Sequence, residues 1–125
     1  MLIFIVEDDR IIRVPLADEL REAGHRVQEF IDSRQVLNAV QRRSVDVVIT
    51  DIKLPFMSGL KLLSQIKSVK PDVPVIVITA YGSESVESEA IKRGAYSFIE
   101  KPFELDEMTD LLERLKEERQ IHLNL

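Results

Sequence analysis

Five short strand-like runs, each closed by polar residues and each followed by a segment of helical spacing, limit the folds open to this chain. The third run is the sharpest: Val47, Val48 and Ile49 are apolar and β-branched, and the run stops at Thr50 and Asp51. Such a run makes a strand buried on both faces, as in parallel sheets covered by helices. Leu2 to Val6 and Val75 to Thr79 read the same way, and Tyr96 to Ile99 is the fifth strand. Arg26 to Phe30 alternates instead, Val27 being opposed by Gln28 and Glu29, as a strand nearer an edge would. Five strand–helix units in this order imply an α/β fold, a doubly wound five-stranded parallel sheet with every strand's carboxyl end on one edge.

The helical segments carry apolar stripes of unequal strength. In the first, Ile12, Leu16, Leu20 and Ala23 share a stripe and Gly24 stops it, while Ile11 and Val14 point outward. Pro15 lies beyond its first turn, so a lost hydrogen bond and a bend are expected. Ser33 is a candidate cap for the second helix, which carries Val36, Leu37 and Val40. The third follows a turn-rich loop and carries Leu60, Leu62, Leu63 and Ile66. Gly82 to Arg93 has only Val86, Ala90 and Ile91, and so few buried contacts predict a segment that moves. The last helix packs Leu105, Met108, Leu111, Leu112 and Leu115; beyond Arg119 the pattern lapses, leaving Ile121, Leu123 and Leu125 without a partner face.

Composition excludes several functions. With 17 Lys+Arg against 22 Asp+Glu the net charge is −5, and no basic run interleaved with aromatics appears, so direct nucleic-acid binding is not expected. There is no cysteine, and His25 and His122 are isolated, which leaves no thiolate or histidine metal site. No apolar stretch approaches the ~20 residues of a membrane span, and the first residues lack a signal peptide's pattern. A cytoplasmic protein with no membrane partner is expected.

The carboxyl edge of the sheet gathers Asp8, Asp9, Asp51, Thr79 and Lys101. Each has an ordinary alternative: Asp51 can start a turn, Asp8 or Asp9 can cap the first helix, Thr79 suits a strand and Lys101 a solvated loop. Their coincidence at strand ends favours chemistry. Three carboxylates within ~5 Å repel by about 3 kcal/mol per pair at an effective dielectric of about 20, and a divalent cation relieves that repulsion. Oxygen-only ligands in a shallow, open site favour Mg²⁺. A carboxylate such as Asp51 can attack phosphorus when a cation such as Lys101 neutralises the transferring group, and Thr79 can donate to a phosphoryl oxygen. A haloacid-dehalogenase-like phosphatase also uses a strand-end Asp with Mg²⁺. It needs a second carboxylate two residues on, where this chain has Lys53.

On these residues the chain resembles, over nearly its whole length, the receiver domain of a two-component response regulator. The acidic pair falls on Asp8 and Asp9, the phosphoacceptor on Asp51 in Thr50-Asp51-Ile52-Lys53-Leu54-Pro55, the switch hydroxyl on Thr79, the switch aromatic on Phe98 and the cation on Lys101 before Pro102. Pro55, Gly59 and Gly94-Ala95-Tyr96 also fit, whereas Phe56 and Ser58 depart from the glycine and aspartate frequent there. The resemblance implies a flavodoxin-like sheet of order 2-1-3-4-5 and a cis peptide before Pro102. It implies a signalling domain rather than an enzyme, which takes a phosphoryl group from a sensor histidine kinase onto Asp51. Mg²⁺ would be held by Asp9, Asp51, the Lys53 carbonyl and, through water, Asp8. The readout face would be the fourth helix, fifth strand and fifth helix, a homodimer surface.

The receivers of NtrC-like regulators that drive sigma-54 transcription are the most similar. Residues 1–119 would then be the receiver and 120–125 the start of a linker or tail, the output domain lying outside this chain. Ile11 and Val14 are expected to dock the kinase. Lys53 and Tyr81 flank the approach of water to a phosphorylated Asp51. A charged lysine cannot accept that water's proton and a bulky tyrosine would exclude it, so a long-lived phosphorylated state is expected.

Overall fold

In a computed structural model, which describes residues 1–80 and 82–123 with side chains through residue 119, five parallel strands alternate with five helices. The order is β1 (Leu2–Val6), α1 (Arg10–Glu22), β2 (Arg26–Phe30), α2 (Val36–Arg42), β3 (Val47–Asp51), α3 (Gly59–Val69), β4 (Val75–Thr79), α4 (Glu84–Lys92), β5 (Ser97–Glu100) and α5 (Leu105–Leu123). The sheet order is β2-β1-β3-β4-β5. It leaves β2 at an edge, as its alternation predicts, and buries β1, β3 and β4 along their whole length.

Period-2 alternation then divides the core in two. Leu2, Phe4, Val6, Val48, Val75 and Val77 face one layer with Val36 and Val40 of α2, Leu62, Leu63 and Ile66 of α3, and Ala90 of α4. Ile3, Ile5, Val47, Ile49, Ile76 and Ile78 face the other, with Leu16, Ala17 and Leu20 of α1 and Met108, Leu111, Leu112 and Leu115 of α5. Each fully buried side chain of this kind contributes about 1.5–3 kcal/mol, so the two layers drive folding of the sheet. At the amino edge, Asp46 joins three elements: its Oδ2 accepts from the Leu2 amide at 2.7 Å and its carbonyl accepts from Arg119 at 2.8 Å.

Several local expectations are corrected. Ser33 does not cap α2, whose N-cap is Gln35 without a side-chain bond; residues 33–35 form a turn first, and the Ser33 hydroxyl donates to the Pro55 carbonyl at 3.3 Å. Ala23 is exposed as the C-cap of α1, and Val14 is half-buried rather than outward. The fifth strand is Ser97–Glu100, one residue later than its apolar run suggests. Pro15 does lie inside α1, the Lys101–Pro102 peptide is cis, and only Ala90 of α4 is buried. The backbone of α5 is helical through Leu123, while the side chains of Ile121, Leu123 and Leu125 lie outside the described residues.

The tightest backbone approach is at the start of α3. A Cβ on Gly59 would lie 1.8 Å from the carbonyl oxygen of Asp51, so the helix begins against the end of β3 with no room for a side chain. Gly59→Ala should cost about 1–3 kcal/mol or more, as overpacking against rigid backbone does. A thermal midpoint within a degree of wild type would contradict this.

Candidate functional site

Parallel register places the site. Asp51 pairs with Ile78 and Thr79 with Glu100, so the carboxyl ends of β3, β4 and β5 lie side by side, and Lys101 follows directly. Asp51 is buried, and its two oxygens have different partners. Oδ1 accepts from the amides of Ile52 at 2.6 Å and Lys53 at 3.4 Å; Oδ2 accepts from the Lys101 ammonium at 2.8 Å. The same ammonium donates to Oε1 of Glu7. Thr79 is buried, and its carbonyl accepts from the Lys101 amide at 2.8 Å, tying β4's end to the same lysine.

The acidic set differs from the expected one by a single residue. Among the described residues, the carboxylates whose oxygens come within 4.8 Å of one another are Glu7, Asp8 and Asp51. Asp9, expected as a ligand, is instead the N-cap of α1, its carboxylate accepting from the Ile11 amide at 2.9 Å. The reason is geometric. β1 ends at Val6, so Glu7 and Asp8 are the residues that leave the sheet edge, and by Asp9 the chain has turned to start a helix. The sequence carried the signal, because Glu7 is the first polar residue after the Leu2–Val6 run.

Glu7 is fully buried, and burial pushes its carboxyl up to about 7; the Lys101 hydrogen bond opposes this and Asp51's charge adds to it. Burial would lower Lys101, but its hydrogen bonds to Asp51 and Glu7 carry it above its ordinary value. Arg13 fixes the strand end from the other side, donating to the Glu7 carbonyl at 2.9 Å and to Glu29 at 3.1 Å. One cation therefore sits between two of three clustered carboxylates. The donor set is oxygen only and Asp8 is exposed, which fits a hard divalent cation that keeps part of its water.

The remaining expected residues fall at different distances from this centre. Phe98 is half-buried on β5 opposite Val77, and it packs on the core layer that contains α4; strand alternation puts Thr79 on the same face. The Lys53 side chain is exposed beside the cluster. Tyr81 lies outside the described residues. Ile11 is 83% exposed and borders a cleft of about 370 Å³ that Ile12, Pro15, Phe103, Leu105 and Lys101 also line.

A five-stranded 2-1-3-4-5 sheet with an acidic cluster, a threonine and a lysine at its carboxyl edge defines a receiver-type signalling domain. The family model described as response regulator receiver domain matches residues 3–113, and the chain belongs to that family. It is 38% identical over 113 residues to the DNA-binding transcriptional regulator NtrC of Escherichia coli (strain K12), covering 90% of this chain and 24% of that protein. It is 34% identical over 119 residues to the C4-dicarboxylate transport transcriptional regulatory protein DctD of Rhizobium meliloti (strain 1021), covering 95% of this chain and 26% of that protein. The chain thus spans about a quarter of the length of the curated relatives it matches. Its fold is similar to a beryllofluoride-activated NtrC4 receiver domain dimer, with TM-score 0.89, 31% identity and coverage of 94% of this chain and 97% of that one. The receiver domain of NtrX from Brucella abortus gives TM-score 0.85 and 38% identity, covering 92% and 98%. Among the described residues no helix is long and apolar enough to cross a membrane.

Because the cluster repels itself, millimolar Mg²⁺ should raise the thermal midpoint of the unmodified protein, and Asp8→Asn or Asp51→Asn should weaken that response. Asp9→Ala should cost about 1 kcal/mol as a lost cap and leave the response intact. A response abolished by Asp9→Ala would restore Asp9 to the cluster.

Proposed function

We propose that residues 1–119 form a phosphoacceptor unit that takes a phosphoryl group from a sensor histidine kinase onto Asp51, with residues 120–125 leading into a linker or tail. The observation that carries this reading is the Lys101 ammonium held between Asp51 and Glu7. A lysine so placed neutralises charge as an Asp51 oxygen bonds to phosphorus and the phosphorus–nitrogen bond breaks, its electron pair leaving with the imidazole. The Thr79 hydroxyl donates to a phosphoryl oxygen. Glu7, Asp8, Asp51 and the Lys53 carbonyl would hold Mg²⁺, which supplies further neutralisation of the phosphoryl oxygens when bound.

Signalling follows from the neighbouring layer. Drawing the Thr79 hydroxyl toward the phosphoryl group vacates space beside Phe98, on the same sheet face, and α4 is held there by a single buried residue, Ala90. The α4–β5–α5 face then changes and forms a homodimer; the beryllofluoride-activated NtrC4 receiver domain, similar in fold, is a dimer. The output is transcriptional, by analogy with NtrC and DctD, in a cytoplasmic setting. Persistence of the signal rests here on Lys53, whose ammonium cannot act as a base toward attacking water.

Incubation with acetyl phosphate and Mg²⁺ should add one phosphoryl mass to the wild type and none to Asp51→Asn. Hydrogen exchange across Glu84–Lys92 should change in the labelled sample. Labelling that survives Asp51→Asn would place the acceptor elsewhere.

The kinase should dock at the apolar cleft between α1 and the loop after β5, with Ile11 as an anchor beside Lys101. Ile11→Ala should slow transfer from the kinase while acetyl phosphate labelling keeps its rate. Equal slowing of both reactions would mean that the change acts on the site and not on docking.

A further inference from the structure

The loop between β3 and α3, residues 52–58, is fastened inside by Ile52, Leu54 and Met57, which pack on the α2–α3–α4 layer. Its far end is tied by the Gly59 amide, which donates to the Ile52 carbonyl at 2.7 Å. Its outer bend, Pro55 and Phe56, is exposed and is met from the loop between β2 and α2. The Ser33 hydroxyl donates to the Pro55 carbonyl at 3.3 Å, and the Arg34 guanidinium lies 3.8 Å above the centre of the Phe56 ring. Asp32 aims that guanidinium. Its Oδ2 accepts from Nη2 at 2.9 Å and Nε at 3.3 Å, while Oδ1 accepts from the Arg34 amide at 2.9 Å.

Phe56 is 71% exposed and has φ 74, a left-handed conformation that bulky side chains rarely adopt. An exposed ring in that conformation gains little from burial. The contact that rewards it is the stacked guanidinium.

We propose that Asp32 and Arg34 are positioning residues for phosphotransfer: by clamping Phe56 they set the loop that follows Asp51 before metal or phosphoryl donor arrives. This rests on the phosphoacceptor reading of Asp51. Displacement of the loop reaches the site directly, because the amides of Ile52 and Lys53 both donate to Asp51 Oδ1 and the Lys53 carbonyl lies on the same stretch. Small misplacements of a reacting carboxylate are costly in rate.

The test compares Arg34→Ala, Arg34→Lys, Phe56→Gly and the Arg34→Ala/Phe56→Gly double variant. Each is measured for its thermal midpoint without metal, its apparent Mg²⁺ dissociation constant from midpoint titration, and its acetyl phosphate labelling rate. Arg34→Ala should weaken Mg²⁺ binding and slow labelling about two- to fivefold, the factor an exposed cation–π contact is worth, and lysine should restore part of it. In the Phe56→Gly background Arg34→Ala should have no further effect. Wild-type Mg²⁺ binding and labelling in Arg34→Ala would overturn the proposal. So would an undiminished Arg34→Ala effect in the glycine background, or a Phe56→Gly variant with wild-type Mg²⁺ binding and labelling. Were the wild type not labelled on Asp51, the phosphoacceptor reading would fail by itself, and the Mg²⁺ titration would still decide whether the clamp exists.

Discussion

The ammonium of Lys101, shared by Asp51 and Glu7, is the contact on which the rest of the edge depends. It draws the ends of β1 and β3 toward the residue that follows β5, across a sheet whose carboxyl edge would otherwise hold three repelling carboxylates. Removing one member of a buried ion pair leaves an uncompensated charge, a loss of about 3–5 kcal/mol in comparable cases. The pair is not there because ionic contacts are the cheapest way to stabilise a sheet; apolar residues of similar volume would serve as well or better. On the proposed phosphoacceptor reading, a carboxylate that reacts needs a cation beside it, and the apolar layers on both faces supply the stability that allows this.

The helices of those layers are unequally anchored, α4 least of all. The face covered by α1 and α5 is anchored by Leu16, Leu20, Met108, Leu112 and Leu115, all nearly or wholly buried. On the other face α4 contributes Ala90 alone as a buried residue, with Ile91 half exposed. Thr79 and Phe98 share the face on which α4 packs. Local opening costs least where buried apolar contacts are fewest, so an event at the sheet edge is transmitted most readily toward α4.

Much of this was legible in the sequence, because strand burial and chemistry coincide in it. Apolar runs that stop at Asp51 and Thr79 reveal both where strands lie and which residues leave their ends, so the sheet and most of its edge follow from one pattern. The error at Asp9 arose where the pattern was applied one residue too far. Of three acids in a row, the two that directly follow the Leu2–Val6 run are aimed at the edge, and the helix start at Arg10 makes the third, Asp9, a cap. The Ser33 cap failed for a related reason. A serine before an apolar stripe signals a helix start, but here Asp32 and Arg34 organise a turn first and the hydroxyl is used between loops. Contacts between loops distant in sequence, such as Arg34 with Phe56, have no periodicity to reveal them.

The loop after β3 joins these themes because its two ends make opposite demands. At its inner end the helix start comes so close to the Asp51 carbonyl that any side chain at Gly59 would collide with backbone. At its outer bend the chain accepts one of the largest side chains in a conformation that glycine would occupy without strain. Close packing explains the first directly. The second has no steric rationale at the residue itself, since an exposed ring neither fills a cavity nor shields backbone. Its rationale lies across the gap, in an arginine held in register by Asp32, so that strain in one loop is balanced by a contact from another. If Asp51 is the phosphoacceptor proposed above, the loop that follows it at once needs to be held from both sides, and the core can hold only the inner one.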